Sequence, residues 1–169
     1  GKITYTYTGA ADTSYGAGNY TITNSGTLTV NGGAIENATA AMSHMMDAID
    51  NNSGTGNAVL TINGGSVVCG SYIAIRQFAN STTYENSVII NGGSVFGGKR
   101  AVWVQLPSSN SSLVQKASVS VTGGTVSNDS DTDFAIYAYS FGASAADLEL
   151  NISGGTFNGD VGIYVPDFG

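Results

Sequence analysis

The chain has 169 residues, 41% of them hydrophobic, which is enough for one domain with a packed core. Only 10% are charged, well below the quarter or so usual in soluble proteins, so the wetted surface has to rest on uncharged Ser, Thr, Asn and Gly. A formal net charge of -7, with five Lys plus Arg, excludes the basic stripe that a nucleic-acid binder needs to displace counterions and disfavours anionic membranes.

Residues 1–26, with ITYTYT and GNYTIT, are strand-like without a recurring motif, and are expected to cap an open end and shield the first coil from edge pairing. At 27–35 the string TLTVNGGAI opens a pattern that returns as VLTINGGSV at 59–67, VIINGGSV at 88–95, VSVTGGTV at 119–126 and LNISGGTF at 150–157. The first glycines of the pairs are Gly32, Gly64, Gly92, Gly123 and Gly154, so the separations are 32, 28, 31 and 31 residues. Self-similarity at about thirty residues marks a solenoid coil.

Each copy alternates apolar and polar residues before the turn: Leu28 and Val30, Leu60 and Ile62, Val88 and Ile90, Val119 and Val121, Leu150 and Ile152. Period-two alternation makes each of these a strand with one buried face. Gly-Gly then permits a corner, because glycine tolerates φ > 0 and leaves room for neighbouring backbone. A second strand starts beyond it at Ile35, Val67, Val95, Val126 and Phe157. Asn31, Asn63, Asn91, Thr122 and Ser153 precede the corners, and stacking would align them in a hydrogen-bonded column. A phosphate-cradling loop would need Gly-x-Gly-x-x-Gly or Gly-Lys-Ser/Thr before a helix, which no copy has.

Between the first two copies, residues 36–50 (ENATAAMSHMMDAID) carry Met42, Met45, Met46 and Ile49, and fit a short helix or an irregular strand equally well. A third apolar run follows the later corners: YIAIRQF from Tyr72, AVWVQL from Ala101, FAIYAY from Phe134 and VGIYV from Val161. Three short strands per repeat make an all-β parallel solenoid of about five coils over residues 27–165, within a single domain. Polar loops at 79–87, 107–117 and 127–133 are expected to project from one corner of successive coils. The chain starts at Gly1 without a leader and stops at Pro166-Asp167-Phe168-Gly169 without a convincing cap, so it reads as a mature or excised fragment with more protein to follow. No apolar run approaches the ~20 residues of a membrane helix.

The pattern resembles the right-handed parallel β-helix, the pectate-lyase-like architecture. It is most similar to bacterial secreted and cell-surface repeat proteins rich in I-x-G-G-T/S coils, and the likeness covers roughly residues 18–165. It implies a secreted or surface location and, since some such proteins bind plant polysaccharide without cutting it, a glycan partner. Fold does not fix activity, and a structural stalk within a larger surface protein fits the same resemblance.

Candidate chemistry is sparse. Hydrolases of this fold place acids on outward positions of adjacent coils in strings such as Asn-Thr-Asp and Asp-Asp, and glycoside cleavage usually needs two carboxylates across the bond. Here Asp47 and Asp50 are close in sequence, as are Asp147 and Glu149, without a matching acid one coil away. Lyases of this fold pair a basic proton abstractor with acidic calcium ligands, which leaves Arg76, Lys99 and Arg100 as candidates. His44 is the sole histidine, so no Ser-His-Asp or multi-histidine metal set can form. Cys69, the sole cysteine, follows two valines and reads as a small packed hydrophobe. Asp129, Asp131 and Asp133 alternate in a loop as weak calcium candidates, but Phe134 and Ser140 stand where an EF-hand needs Gly and Glu. Thr29, Thr61, Ile89, Ser120 and Asn151 form no Thr rank of the ice-binding kind.

The third strand carries the most suggestive feature. With Ile73, Ile75, Val102, Val104, Phe134, Ile136, Ala138, Val161, Ile163 and Val165 inward, alternation sends Tyr72, Arg76, Trp103, Gln105, Tyr137, Tyr139 and Tyr164 outward. Rings repeated once per coil suit a glycan, whose C–H faces lie on aromatic faces while hydroxyls meet Arg, Gln and Tyr. Cross-strand aromatic ladders also stabilise sheets with no ligand at all. The sequence therefore points to a non-catalytic carbohydrate-binding or adhesive module requiring no cofactor, calcium apart, with a stalk as the alternative and a lyase or hydrolase behind both.

Overall fold

The structure, a computed structural model, describes residues 1–6, 19–39, 46–79, 81, 83–106, 115–140 and 146–164. Its first rungs comprise β1 (Lys2–Tyr5), β2 (Ile22–Asn24), β3 (Thr27–Val30), β4 (Ala34–Asn37), β5 (Ile49–Asn52) and β6 (Ala58–Ile62). Then come β7 (Ser66–Cys69), β8 (Ile73–Phe78), β9 (Glu85–Ile90), β10 (Ser94–Gly97), β11 (Arg100–Leu106) and β12 (Gln115–Val121). The last are β13 (Thr125–Asn128), β14 (Phe134–Ser140), β15 (Ala146–Ile152), β16 (Thr156–Asn158) and β17 (Asp160–Tyr164). No helix occurs among the described residues.

Every third strand stacks in parallel. The first sheet runs β1, β4, β7, β10, β13, β16; the second β2, β5, β8, β11, β14, β17; the third β3, β6, β9, β12, β15. The chain is thus a parallel β-solenoid with three strands per coil. The repeat that spaced the glycines by 28 to 32 residues has become the distance from one strand to the strand paired above it.

Register follows the motif residue by residue. Ile35, Val67, Val95, Val126 and Phe157 pair in sequence along the first sheet. In the third sheet Leu28, Leu60, Val88, Val119 and Leu150 form one inward file and Val30, Ile62, Ile90, Val121 and Ile152 another. The second sheet adds Ile22, Ile49, Ile75, Val102, Ile136 and Val161. These files meet inside the triangular coil, and their middle members are fully buried. Burying an aliphatic side chain contributes about 1.5–3 kcal/mol, so the files account for most of the driving force for coiling.

Side-chain amides close two of the corners. Outside, Asn63 Nδ2 donates to Asn31 Oδ1 at 2.8 Å, Asn91 Nδ2 to Asn63 Oδ1 at 2.9 Å, and Thr122 Oγ1 to Asn91 Oδ1 at 2.9 Å. Inside, between the second and third sheets, Asn24 Nδ2 donates to Asn51 Oδ1 at 2.7 Å. Asn51 Nδ2 reaches the Ser87 carbonyl, and Gln77 Nε2 the carbonyls of Asn86 and Ser118. Asn63→Ala removes two exposed ladder bonds and is expected to lower stability by about 1 kcal/mol in urea titration, each such bond being worth about 0.5–1.5 kcal/mol net.

Some expectations meet a different arrangement. The motif-free start supplies β1 and β2, so it builds the first rung of two sheets. Within 36–50, the described ends are strand, β4 and β5, and residues 40–45, including Met42, His44 and Met45, lie outside the described residues. The connection from β8 to β9 runs from the second sheet to the third and that from β13 to β14 from the first to the second, so these two do not share a corner; residues 107–114 lie outside the described residues. Phe134 does not point inward. A register shift between Phe134 and Ile136 brings its ring onto the outer side, where it packs over Gly162 and stacks on Tyr137. Val165 lies outside the described residues.

Candidate ligand-binding face

The outer side of the second sheet gathers the chemistry-bearing residues. Strand pairing sets Thr23, Asp50, Arg76, Trp103, Tyr137 and Gly162 in one outward file and Asn52, Phe78, Gln105, Tyr139 and Tyr164 in the next. The aromatic file expected from sequence therefore exists as two adjacent files. Their exposure changes along the rod.

At the rungs of Asp50, Arg76 and Gln105 this face is buried, although Thr23 on the first rung is exposed. Arg76 is 4% exposed, and Tyr72 and Gln105 are buried as well, so these three do not sit on the open surface that alternation assigned them. Alternation reports which side of a sheet a residue takes, not whether other parts of the chain cover that side. Arg76 instead anchors an ionic cluster. Its Nε donates to Asp50 Oδ1 at 2.9 Å and lies 3.5 Å from Asp47 Oδ2, while its guanidinium sits 5.0 Å from the Tyr20 ring centre and 5.2 Å from that of Phe78.

Burial pushes the Asp47 carboxyl up to about 8, overcoming the pull of Arg76, and Asp50 adds to the rise. Its oxygens accept no hydrogen bond among the described residues. Burial likewise pushes the Tyr20 phenol up to about 12 against the pull of Arg76. Burial opposes the charge on Arg76, yet its hydrogen bond to Asp50 and the two carboxylates raise it on balance. Arg76 is consequently held as a buried, paired cation. Nearby, Cys69 Sγ donates to the Met46 carbonyl at 2.9 Å, and burial raises its thiol; it packs as the small hydrophobe its neighbours suggested.

Toward the last rungs the face opens. Arg100 lies 5.0 Å from the Trp103 ring centre and 4.5 Å from that of Tyr137, while Asp133 pairs with its Nε. Lys99 sits 5.3 Å from the Tyr72 ring centre and 3.9 Å from Asp133. Phe134 and Tyr137 stack at 5.0 Å with planes 10° apart, and Tyr139 and Tyr164 at 5.1 Å and 7°. Trp103 meets Tyr72 edge to face at 6.5 Å, and its indole N–H is buried without a partner among the described residues. Burial raises the Tyr137 phenol. Trp103, Tyr137 and Tyr139 are half-buried, and Tyr164 is 48% exposed.

Asp129, Asp131 and Asp133 line a recess of about 300 Å³ with Asn128, Ser130, Gly159 and Asp160, beside the start of β14 and β17. Asp133 turns to Arg100 and Lys99 and caps the Phe134 N–H. Among the described residues no three His, Cys, Asp or Glu side chains come together as a metal site. Asp147 and Glu149 lie exposed on β15.

Sequence reasoning missed Asp47 and Asp50 as partners of Arg76, and Arg100 and Phe134 as members of the aromatic strip. Asp50 was legible in principle, since coil spacing sets it one rung below Arg76. The cation sandwiched between Trp103 and Tyr137 had no signal beyond its position at the strand start. Comparison with protein-family models, with curated proteins and with solved structures finds no match.

Proposed function

We propose that this solenoid is a non-catalytic, polysaccharide-binding module of a secreted or surface protein of the pectate-lyase-like, bacterial kind. The glycan would lie along the outer side of the second sheet at its last rungs. The observation that carries this reading is the contiguous set of Trp103, Tyr137, Tyr139 and Tyr164, in register over three rungs with Phe134 stacked on Tyr137, half-buried until Tyr164, which is exposed. A solvent-facing aromatic run spaced by about 4.8 Å per rung offers apolar contact to successive sugar faces, with phenol hydroxyls to meet sugar hydroxyls.

A second reading, a stalk, draws support from the rings stacking on one another, because mutual stacking stabilises a sheet without any ligand. Tyr164→Ala separates the two. On a glycan array and in affinity electrophoresis it should weaken binding at least ~5-fold, about 1 kcal/mol, with the thermal melt nearly unchanged because Tyr164 ends the stack. An unaltered affinity for a glycan the parent binds would discard the strip. A lowered melt in a chain that binds no glycan would favour the stalk.

A further inference from the structure

From the way the cations are spent, we infer that the glycan taken by this face is uncharged, and that uronate- and sulfate-bearing polysaccharides are rejected. The inference rests on the glycan-binding reading and names its ligand class. The chain has five Lys plus Arg in all, and four lie within ion-pair distance of an acid, Lys99 the most loosely, at 3.9 Å with its side chain 38% exposed. Lys2 pairs with Glu36, Arg76 with Asp50 and Asp47, and Lys99 and Arg100 with Asp133. The fifth, Lys116, stands on the third sheet in register between Glu85 and Asp147, away from the aromatic strip. Arg100, the one cation within the strip, is also covered by two rings.

An anionic sugar recognised at a built site needs an unengaged Arg or Lys to receive its carboxylate or sulfate. The strip offers none among the described residues. Its border instead presents Asp129, Asp131 and Asp160 around the recess beside Phe134, and like charge there repels a polyanion on approach. A hydroxyl-rich neutral chain meets neither obstacle.

The test is affinity electrophoresis of the whole chain in gels containing neutral β-glucan, xyloglucan or galactomannan, against polygalacturonate, alginate or a sulfated galactan. Retardation is expected only by a neutral polysaccharide, changing less than 2-fold between 20 and 300 mM NaCl, with acidic chains at least ~10-fold weaker. The triple variant Asp129→Asn, Asp131→Asn, Asp160→Asn, which leaves every ring in place, should raise retardation by the acidic polymers at least ~3-fold at 20 mM NaCl while leaving the neutral ones unchanged. Retardation of the parent by an acidic polysaccharide, lost on adding salt, would overturn the uncharged class and leave glycan binding standing. Retardation by none of the polymers would overturn both.

Discussion

Gly93→Val is expected to destabilise the rod by about 4 kcal/mol or more, read as a loss of urea midpoint at unchanged slope. Gly93 holds φ at +76°, and a Cβ there would meet the Gly65 carbonyl oxygen at 2.7 Å and the Gly64 carbonyl carbon at 2.8 Å. A β-branched residue carries about 1–3 kcal/mol of strain in that backbone region alone. The clashing atoms are backbone of the rung below, itself a glycine corner, so relief requires the stack to part. Gly32→Ala provides the contrast, because nothing lies within 4 Å of its added Cβ, and its effect should stay within about 0.5 kcal/mol. A Gly93→Val melt equal to the parent's would refute the stacked-corner account.

The second large effect belongs to Arg76. Arg76→Met leaves Asp47 and Asp50 buried without their cation, and removing one partner of such a cluster costs about 3–5 kcal/mol. The loss should be larger at pH 8 than at pH 5, because at pH 5 Asp47 already holds its proton and has no ionic partner to lose. In the parent, Asp47 keeps its proton from the unfolded value of 3.8 up to about 8. Unfolding therefore releases a proton within that window, and stability falls as pH rises through it, by up to about 1.4 kcal/mol per pH unit from this group. Asp47→Asn should flatten that dependence while Arg76 keeps its 2.9 Å hydrogen bond to Asp50. Urea midpoints at pH 5, 6, 7 and 8 measure both claims, and a parent slope identical to that of Asp47→Asn would refute the second.

These two sites also mark how far the sequence could be read. The corner was legible because it is local. Two consecutive glycines after alternating apolar residues recur at nearly constant spacing, and side-chain period fixes which residues become files. Which glycine takes positive φ was less visible: Gly33, Gly65, Gly93, Gly124 and Gly155, the second of each pair, do so, while Gly64, Gly92 and Gly123 are confined by the Asn carbonyl one rung below. Beyond Asp50, which coil spacing sets beside it, the Arg76 cluster was illegible for a different reason. Tyr20 and Asp47 reach it from segments outside the motif, and no pattern in 36–50 announces that Asp47 turns to a guanidinium. The candidate face was legible in its ring sequence and register. Its burial at Tyr72, Arg76 and Gln105 and the shift that turned Phe134 outward were not, because alternation assigns a side of the sheet and neither its cover nor a bulge.

Each rung pairs only with the rungs directly above and below it, so the molecule has no keystone. Cohesion is greatest midway along, where Ile75, Ile90 and Val95 are sealed on both sides, and weaker at the two ends, where Ile3 on the first rung and Ile152, Val161 and Ile163 on the last meet water. Unfolding of such a stack spreads rung by rung, peeling strands away in threes. The aromatic strip lies toward the last rung. A long polymer laid across several rungs would act as a splint, coupling occupancy of the face to resistance of the whole column against unravelling.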